Sequence, residues 1–226
     1  MSVYKNIETI LEEIPENVKL IAVSKTKPNE AILEAYEGGY RIFGENKPQE
    51  MVGKYETLPK DIEWHMIGHL QTNKVKYIAP FVSLIHAVDS IKLLKMINKE
   101  AKKNERTIDC LLQFHIADEE TKFGFSKQEV EQMFETEEYK ELTNIRIVGV
   151  MGMATNTDDN KQVSAEFANL KNIHSEIKDK YFKGEESFKE ISMGMSGDYK
   201  LAIEQGSTII RVGSSIFGAR NYGVSL

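Results

Sequence analysis

The 226-residue chain has one cysteine, five prolines and no excess of positive charge. A single thiol, Cys110, excludes an intramolecular disulfide and with it a disulfide-stabilised secreted scaffold, so we expect a reducing, cytoplasmic environment. Lys and Arg together number 29 against 35 Asp and Glu, which gives a net charge of −6. This balance excludes a generally basic protein that coats nucleic acid.

Long apolar runs are also absent. The most apolar stretches, residues 81–88 and 108–114, fall far below the roughly 20 residues needed to cross a bilayer. Residues 1–13 are charged and amphipathic, without the apolar segment and small-residue site of a signal peptide. We therefore expect neither a membrane span nor export.

The chain alternates short β-branched or aromatic runs with longer helical patterns from end to end. This alternation is typical of βα units that build a parallel sheet. The predicted strands cover residues 20–24, 41–44, 63–68, 84–89, 109–116, 145–153, 190–193 and 209–212. The predicted helices cover residues 29–37, 48–55, 71–77, 91–104, 127–134, 162–180 and 199–205, with an extra N-terminal helix at 7–14.

Eight strands in 226 residues match a compact α/β fold, the (β/α)8 TIM-type barrel, for which ~250 residues is typical. A doubly wound open sheet is the alternative, because the buried strands of both folds are short, nearly continuous apolar runs. No linker or change of composition divides the chain, so we expect one domain over residues 1–226, with longer surface loops at 118–125 and 156–161.

Residues with reactive side chains follow the predicted strands, where a barrel of this kind builds its active face. Lys25 follows the apolar run 20–23, which would place its amine at the barrel mouth. Partial desolvation there lowers the pKa of a lysine and makes it a nucleophile toward an aldehyde. The alternative is a lysine that simply extends into solvent.

The last two strands are followed by glycine- and serine-containing turns. Ser196, Gly197 and Asp198 indicate a helix start with Ser196 as its cap, and Gly213 and Ser214 offer further amides and hydroxyls. Phosphate sites in these barrels are frequently built from the loops after strands seven and eight, although two ordinary turns would look the same. Together with Lys25, these loops describe a holder for a phosphorylated aldehyde such as pyridoxal 5′-phosphate (PLP).

Arg211 lies two residues before Gly213 and therefore on the same face of the last strand. If it points into the barrel, its guanidinium would keep the pyridine nitrogen of such a cofactor unprotonated and weaken the ring as an electron sink. An arginine that pairs with a carboxylate inside the barrel is the alternative.

Several motifs resemble the pyridoxal phosphate homeostasis proteins, the YggS/PROSC family. They are spread over the chain at residues 20–28, 43–46, 64–74, 85–90, 192–196 and 211–218. The resemblance implies a barrel like the N-terminal domain of alanine racemase, with PLP held covalently on Lys25 as an internal aldimine. It also implies contacts from Asn46 near the ring, from Arg211 near the pyridine nitrogen, and to the phosphate from Met195, Ser196, Gly213 and Ser214.

Two departures from the family pattern are visible. Lys47 and Pro48 stand where an aromatic residue and valine are usual, and Ser214 stands where threonine is common. Pro48 suits a first helical turn and Ser214 keeps the hydroxyl, so cofactor binding is expected to survive both changes. The first departure changes the residues directly beside Asn46.

The resemblance implies a monomeric, non-catalytic carrier that takes part in homeostasis of the vitamin B6 cofactor and passes PLP to apoenzymes. A PLP-dependent amino-acid racemase is the alternative, although the second domain that gives alanine racemase its opposing base is not expected here. A Schiff-base aldolase without cofactor is a third reading.

Other chemistry-bearing residues are expected to be structural. His65 and His69 cross a strand end without further ligands, which favours a packed His65 and a mouth-lining His69 over a metal site. Cys110 and Trp64 are expected in the core, and Met151, Met153 and Met193 beneath the cofactor. Lys122 resembles a loop feature of the same family, yet an ordinary exposed lysine would look the same.

Overall fold

The computed structural model describes residues 2–118 and 123–218, so Lys122 and part of the predicted loop 118–125 lie outside the described residues. The strands are β1 (Lys19–Val23), β2 (Ile42–Glu45), β3 (Glu63–Met66), β4 (Leu84–Val88), β5 (Ile108–Gln113), β6 (Ile145–Met151), β7 (Glu190–Met195) and β8 (Ile209–Val212). The helices are α1 (Val3–Glu13), α2 (Asn29–Glu37), α3 (Pro48–Thr57), α4 (Val75–Ile78), α5 (Ile91–Lys103), α6 (Lys127–Glu135), α7 (Glu137–Lys140), α8 (Asn160–Tyr181), α9 (Tyr199–Glu204) and α10 (Ser214–Phe217), with a 3-10 turn at Thr72–Lys74.

The strands form a closed barrel in chain order, each parallel to the next. β8 returns to β1, with Leu20 opposite Ile210 and Ile21 opposite Arg211, which closes the sheet. The predicted barrel is therefore confirmed, and the open-sheet alternative is wrong.

Side chains on each strand alternate between two apolar layers, as the two-residue period of a strand requires. The larger layer lies between the strands and the helices and includes Trp64, Cys110, Ile210 and Val212. A smaller cluster fills the barrel interior and includes Ile21, Leu111 and Ile209. Because Ile209 points inward, Arg211, two residues further along, shares its face.

The helices begin where the local sequence provides capping groups or proline. Pro48 occupies the first position of α3, as predicted, and Ser90 accepts the Leu93 amide at the start of α5. Helix α1 starts at Val3 rather than at residue 7, because the Ser2 side chain accepts the Lys5 amide and caps it there. Among the described residues, no helix combines the length and apolarity required of a membrane span.

Other predicted boundaries also differ. Strand β5 ends at Gln113 rather than at residue 116, because Phe114 already turns to bridge with Phe125. Strand β7 continues to Met195 rather than ending at residue 193. The short helices α7 and α10 were not predicted, since a single turn gives too few residues for a helical period.

Candidate functional site

A cavity of about 280 Å³ opens at the carboxyl ends of the strands. The seven residues predicted as the cofactor site all line it, although they come from the ends of four separate strands, β1, β2, β7 and β8, and the loops that follow. These residues are Lys25, Asn46, Met195, Ser196, Arg211, Gly213 and Ser214. The structure therefore brings together every member of the predicted set.

Lys25 lies just beyond β1, on a backbone that is fixed on both sides. Ser24 before it is fully buried, while Lys25 itself is half-buried and lines the cavity. Thr26 after it adopts a left-handed φ of 63°, unusual for a β-branched residue, and its amide donates to Glu50 Oε1 over 2.6 Å. The chain thus turns sharply at the point where the amine enters the cavity.

A group of buried charges, the Glu45–Lys54 cluster (Ser24, Glu45, Glu50 and Lys54), lies beneath this turn. Lys54 Nζ donates to Glu45 Oε1, Glu50 Oε1 and the Ser24 carbonyl at 2.7, 2.7 and 2.8 Å. Ser24 Oγ donates to Glu45 Oε1 over 2.5 Å. Burial raises the pKa of Glu45 to about 7, because the loss of solvation outweighs the nearby Lys54. The cluster anchors the backbone on both sides of Lys25.

The neighbouring wall comes from the loops after β7 and β8, since β8 pairs with β1. Gly194 has a φ of 95°, and a Cβ there would lie 2.6 Å from Ala202 Cβ, so only glycine fits this turn. The prediction that Ser196 caps the next helix is wrong, because Asp198 occupies the N-cap position of α9. Ser196 Oγ instead accepts the Gly213 amide over 3.1 Å and joins the two loops.

Arg211 is buried inside the barrel and reaches the cavity from below. Its Nη1 donates to Ser192 Oγ over 2.6 Å, and its Nη2 donates to the Gly152 carbonyl over 3.2 Å. Burial lowers the pKa of the guanidinium to about 10, with Asp198 acting in the opposite direction, so it remains charged at neutral pH. The predicted inward orientation is confirmed, and the partners are neutral groups rather than a carboxylate.

Met153, which was predicted to lie beneath the cofactor, and two residues that were not predicted, Ile67 and Lys27, complete the walls. Ile67 and Met153 contribute apolar surface, and Lys27 reaches the cavity while its Nζ donates to the Phe217 carbonyl over 2.8 Å. Each of the three lies one to four residues beyond the end of a strand. This position after a strand end is the sequence signal that indicates a cavity-lining residue. The Glu45–Lys54 cluster was missed because Lys54 lies a full helix away from the strand end.

Most of the residues expected to be structural lie outside this cavity. His65, Trp64 and Cys110 are buried, as predicted. His69 bonds to Asp89 over 3.1 Å and stacks on Phe123 instead of lining the cavity. Within the described part of the chain, no group of His, Cys, Asp and Glu has the arrangement of a metal site.

The donors around the cavity fit PLP. An amine matches an aldehyde, a guanidinium matches a pyridine nitrogen, and hydroxyls with backbone amides match a phosphate. These groups come from three strand ends of one cavity: Lys25 follows β1, Ser196 follows β7, and Arg211 and Gly213 lie at the end of β8. A flat ring that carries its reactive groups at different edges can meet groups supplied by several strand ends.

Comparison with known proteins agrees with this chemistry. Residues 2–221 match the family described as alanine racemase, N-terminal domain. The pyridoxal phosphate homeostasis protein of Aquifex aeolicus is 40% identical over 205 residues, covering 90% of this chain and 88% of the relative. That of Vibrio alginolyticus is 37% identical, covering 98% of this chain and 99% of the relative.

A solved structure is similar over the same extent. PipY of Synechococcus elongatus, with PLP bound, is 32% identical and has a TM-score of 0.84, covering 96% of this chain and all of that one. The fold, the motifs and the sequence identity over nearly the full length agree. The chain therefore belongs to the pyridoxal phosphate homeostasis protein family, within the larger alanine racemase N-terminal domain group.

Proposed function

We propose that this protein binds PLP covalently on Lys25 and takes part in controlling the intracellular pool of this cofactor. The observation that carries the proposal is the convergence of Lys25, Arg211, Ser196 and Gly213 on one cavity. The names of the Aquifex and Vibrio relatives and the PLP bound to PipY support the same ligand.

Lys25 is the residue that holds the aldehyde. Its Nζ amine condenses with the aldehyde carbon, forming a C=N bond and releasing one water. The Glu45–Lys54 cluster fixes the backbone before and after Lys25, so the amine is presented to the cavity in a restricted set of positions.

Ser196, Gly213 and Ser214 form the phosphate end, with Met195 contributing through its backbone. Ser196 already ties the two loops together through the Gly213 amide, so the distance between them is set before the ligand arrives. A preorganised phosphate site loses less entropy on binding than one that must assemble. Asn46, which lines the same cavity just beyond β2, is the residue we place near the ring.

Arg211 disfavours enzymatic use of the cofactor. PLP supplies an electron sink when its pyridine nitrogen is protonated. A permanently charged guanidinium at that nitrogen can only donate, so Arg211 keeps the nitrogen unprotonated and favours storage over turnover.

The reactive aldehyde of free PLP modifies stray amines, which explains why a cell benefits from a protein that holds it. The protein acts as a monomeric single barrel in the cytoplasm and delivers PLP to PLP-dependent apoenzymes. Its single cysteine, Cys110, suits a reducing compartment.

Colour tests the covalent site. The purified protein mixed with PLP should show a visible absorbance band that is lost in Lys25→Arg and retained in Lys27→Arg. The pair is matched because both lysines line the same cavity. A band that survives in Lys25→Arg, or a protein that never turns yellow, would overturn the assignment.

Transfer tests the carrier role. Loaded protein should activate a PLP-dependent apoenzyme in the presence of a scavenger that consumes free aldehyde.

Incubation of the loaded protein with one enantiomer of an amino acid in heavy water tests the enzyme alternative. Rapid exchange at Cα with inversion would favour a racemase over a carrier.

A further inference from the structure

A continuous line of buried polar side chains runs from the cofactor cavity toward the opposite end of the barrel. Arg211 Nη1 donates to Ser192 Oγ over 2.6 Å, Ser192 Oγ lies 2.9 Å from His86 Nδ1, and His86 Nε2 lies 2.9 Å from His65 Nδ1. We call this line the Arg211–His65 chain. Its four members come from β8, β7, β4 and β3, and all are buried.

The direction of the hydrogen bonds follows from the guanidinium. Arginine cannot accept, so Ser192 Oγ accepts from Arg211. Among the described residues, His86 is the other side chain within hydrogen-bond distance of this hydroxyl, and we assign the Ser192 O–H as the donor to His86 Nδ1. His86 then carries its proton on Nε2 and donates to Nδ1 of His65, which carries its own proton on Nε2.

Neutral rings are required for this arrangement, and burial provides them. Loss of solvation lowers the pKa of His65 to about 3 and that of His86 well below its ordinary value. Each ring thus has one donor and one acceptor, and every hydrogen bond in the chain points away from Arg211.

The far end of the chain reaches a second cavity. This cavity, of about 310 Å³, lies at the amino ends of the strands and is lined by His65 together with Lys19, Glu63, Arg146 and Glu190. The Nε2 proton of His65 therefore has polar surroundings, and the chain leaves no donor stranded in the apolar interior.

We propose that Ser192, His86 and His65 are positioning residues that hold the Arg211 guanidinium in place against the cofactor ring. The inference rests on the proposed PLP function. An arginine side chain has many rotamers, and its plane is fixed here by Ser192 on one side and the Gly152 carbonyl on the other. The histidines orient the Ser192 hydroxyl so that its oxygen lone pairs face Arg211.

Two substitutions at His86 separate positioning from packing. An asparagine amide reaches approximately the place of Nδ1 and can accept from Ser192, whereas a glutamine amide reaches that of Nε2 and faces His65. His86→Gln and Ser192→Ala should weaken PLP binding about tenfold and shift the visible absorbance band. His86→Asn should stay within about twofold of the native affinity, with the native band, because it keeps the contact nearest Arg211.

His174 provides the matched control. It is also a buried histidine, but neither of its ring nitrogens has a hydrogen-bond partner among the described residues, and its ring stacks on Phe188. His174→Gln should leave affinity and spectrum unchanged. Equal effects of His86→Asn and His86→Gln would overturn the proposal, because loss of packing alone would then explain both.

A readout without cofactor keeps this test independent of the proposed function. Nitrogen-15 NMR of the histidine rings in protein free of PLP should show protons on Nε2 of both His65 and His86. Ser192→Ala should change the His86 signals and leave those of His174 in place. A proton on Nδ1 of His86 would overturn the direction of the chain, whether or not the protein binds PLP.

Discussion

Two buried polar systems border the cofactor cavity, and they differ in how charge is neutralised. Beneath Lys25, the Glu45–Lys54 cluster places an ammonium between two carboxylates and attaches both to the backbone. In the Arg211–His65 chain, the charged guanidinium of Arg211 bonds to a hydroxyl, which is followed by two neutral imidazoles. The first arrangement fixes a loop, and the second fixes one side chain through hydrogen bonds to neutral groups.

The difference has a physical reason. A carboxylate beside Arg211 would compete with the pyridine nitrogen for its N–H groups and attract a proton to the ring. Carboxylates on the backbone side of Lys25 do not compete with the cofactor in this way. There they hold the turn, since Glu50 accepts the Thr26 amide. We therefore expect mutations to destabilise the two systems by different amounts, and a change of pH to affect them in opposite directions.

Breaking the charged system should have the largest effect. Lys54→Met leaves Glu45 buried without its cation, and loss of one partner of a buried pair costs about 3–5 kcal/mol. Urea unfolding at pH 8, where Glu45 is mostly ionised in the folded native protein, measures this loss. Ser192→Ala in the neutral chain should cost less, about 1–3 kcal/mol.

A double variant controls for packing around Lys54. Glu45→Gln with Lys54→Met removes both charges and should recover most of the stability lost in the single variant. A double variant as unstable as Lys54→Met would mean that the lysine acts through its alkyl stem.

The pH dependence of Glu45 should be the next largest effect. Its pKa rises from 4.5 in the unfolded chain to about 7 in the folded one. Its contribution to the free energy of unfolding is therefore fully present below pH 4.5 and is lost as the pH rises through 7. The loss between these limits is about 3 kcal/mol. Unfolding free energies across this range should fall in the native protein relative to Glu45→Gln, and parallel curves would contradict the prediction.

His65 should give a curve of opposite slope. Its folded pKa lies near 3, below its ordinary 6.5, so its contribution is present above pH 6.5 and is lost as the pH falls. Between pH 6.5 and 5 the loss is about 2 kcal/mol. Urea unfolding of the native protein and of His65→Gln across this pH range measures the loss. An equal dependence of the unfolding free energy on pH in both proteins would mean that His65 is solvated.

The sequence predicts the frame of the site better than its supporting contacts. Strand ends follow from apolar runs, and the two-residue period places Arg211 inside the barrel, because these signals are local. Ser192, His86 and His65 lie on three strands distant in sequence, and only the barrel closure brings them together. The predicted helix-capping role of Ser196 was wrong for the same reason, since its partner Gly213 comes from another loop.

The smallest expected change in stability concerns Thr26 and tests whether the charged cluster exists to hold Lys25. Its φ of 63° strains a β-branched residue by about 1–2 kcal/mol, which glycine would relieve. Glycine also gives the unfolded chain about 0.4–1 kcal/mol of additional freedom, so Thr26→Gly should change stability by no more than about 1 kcal/mol.

Cofactor capture should respond more strongly than stability, because the freed backbone lets the Lys25 amine sample positions away from the cavity. We expect slower appearance of the visible band in Thr26→Gly, measured by stopped flow, with an unchanged urea midpoint. Gly53→Ala is the matched control, since it lies on α3 near Lys54 and a Cβ there meets nothing within 4 Å. Native capture kinetics in Thr26→Gly would show that the cluster stabilises the barrel without directing Lys25.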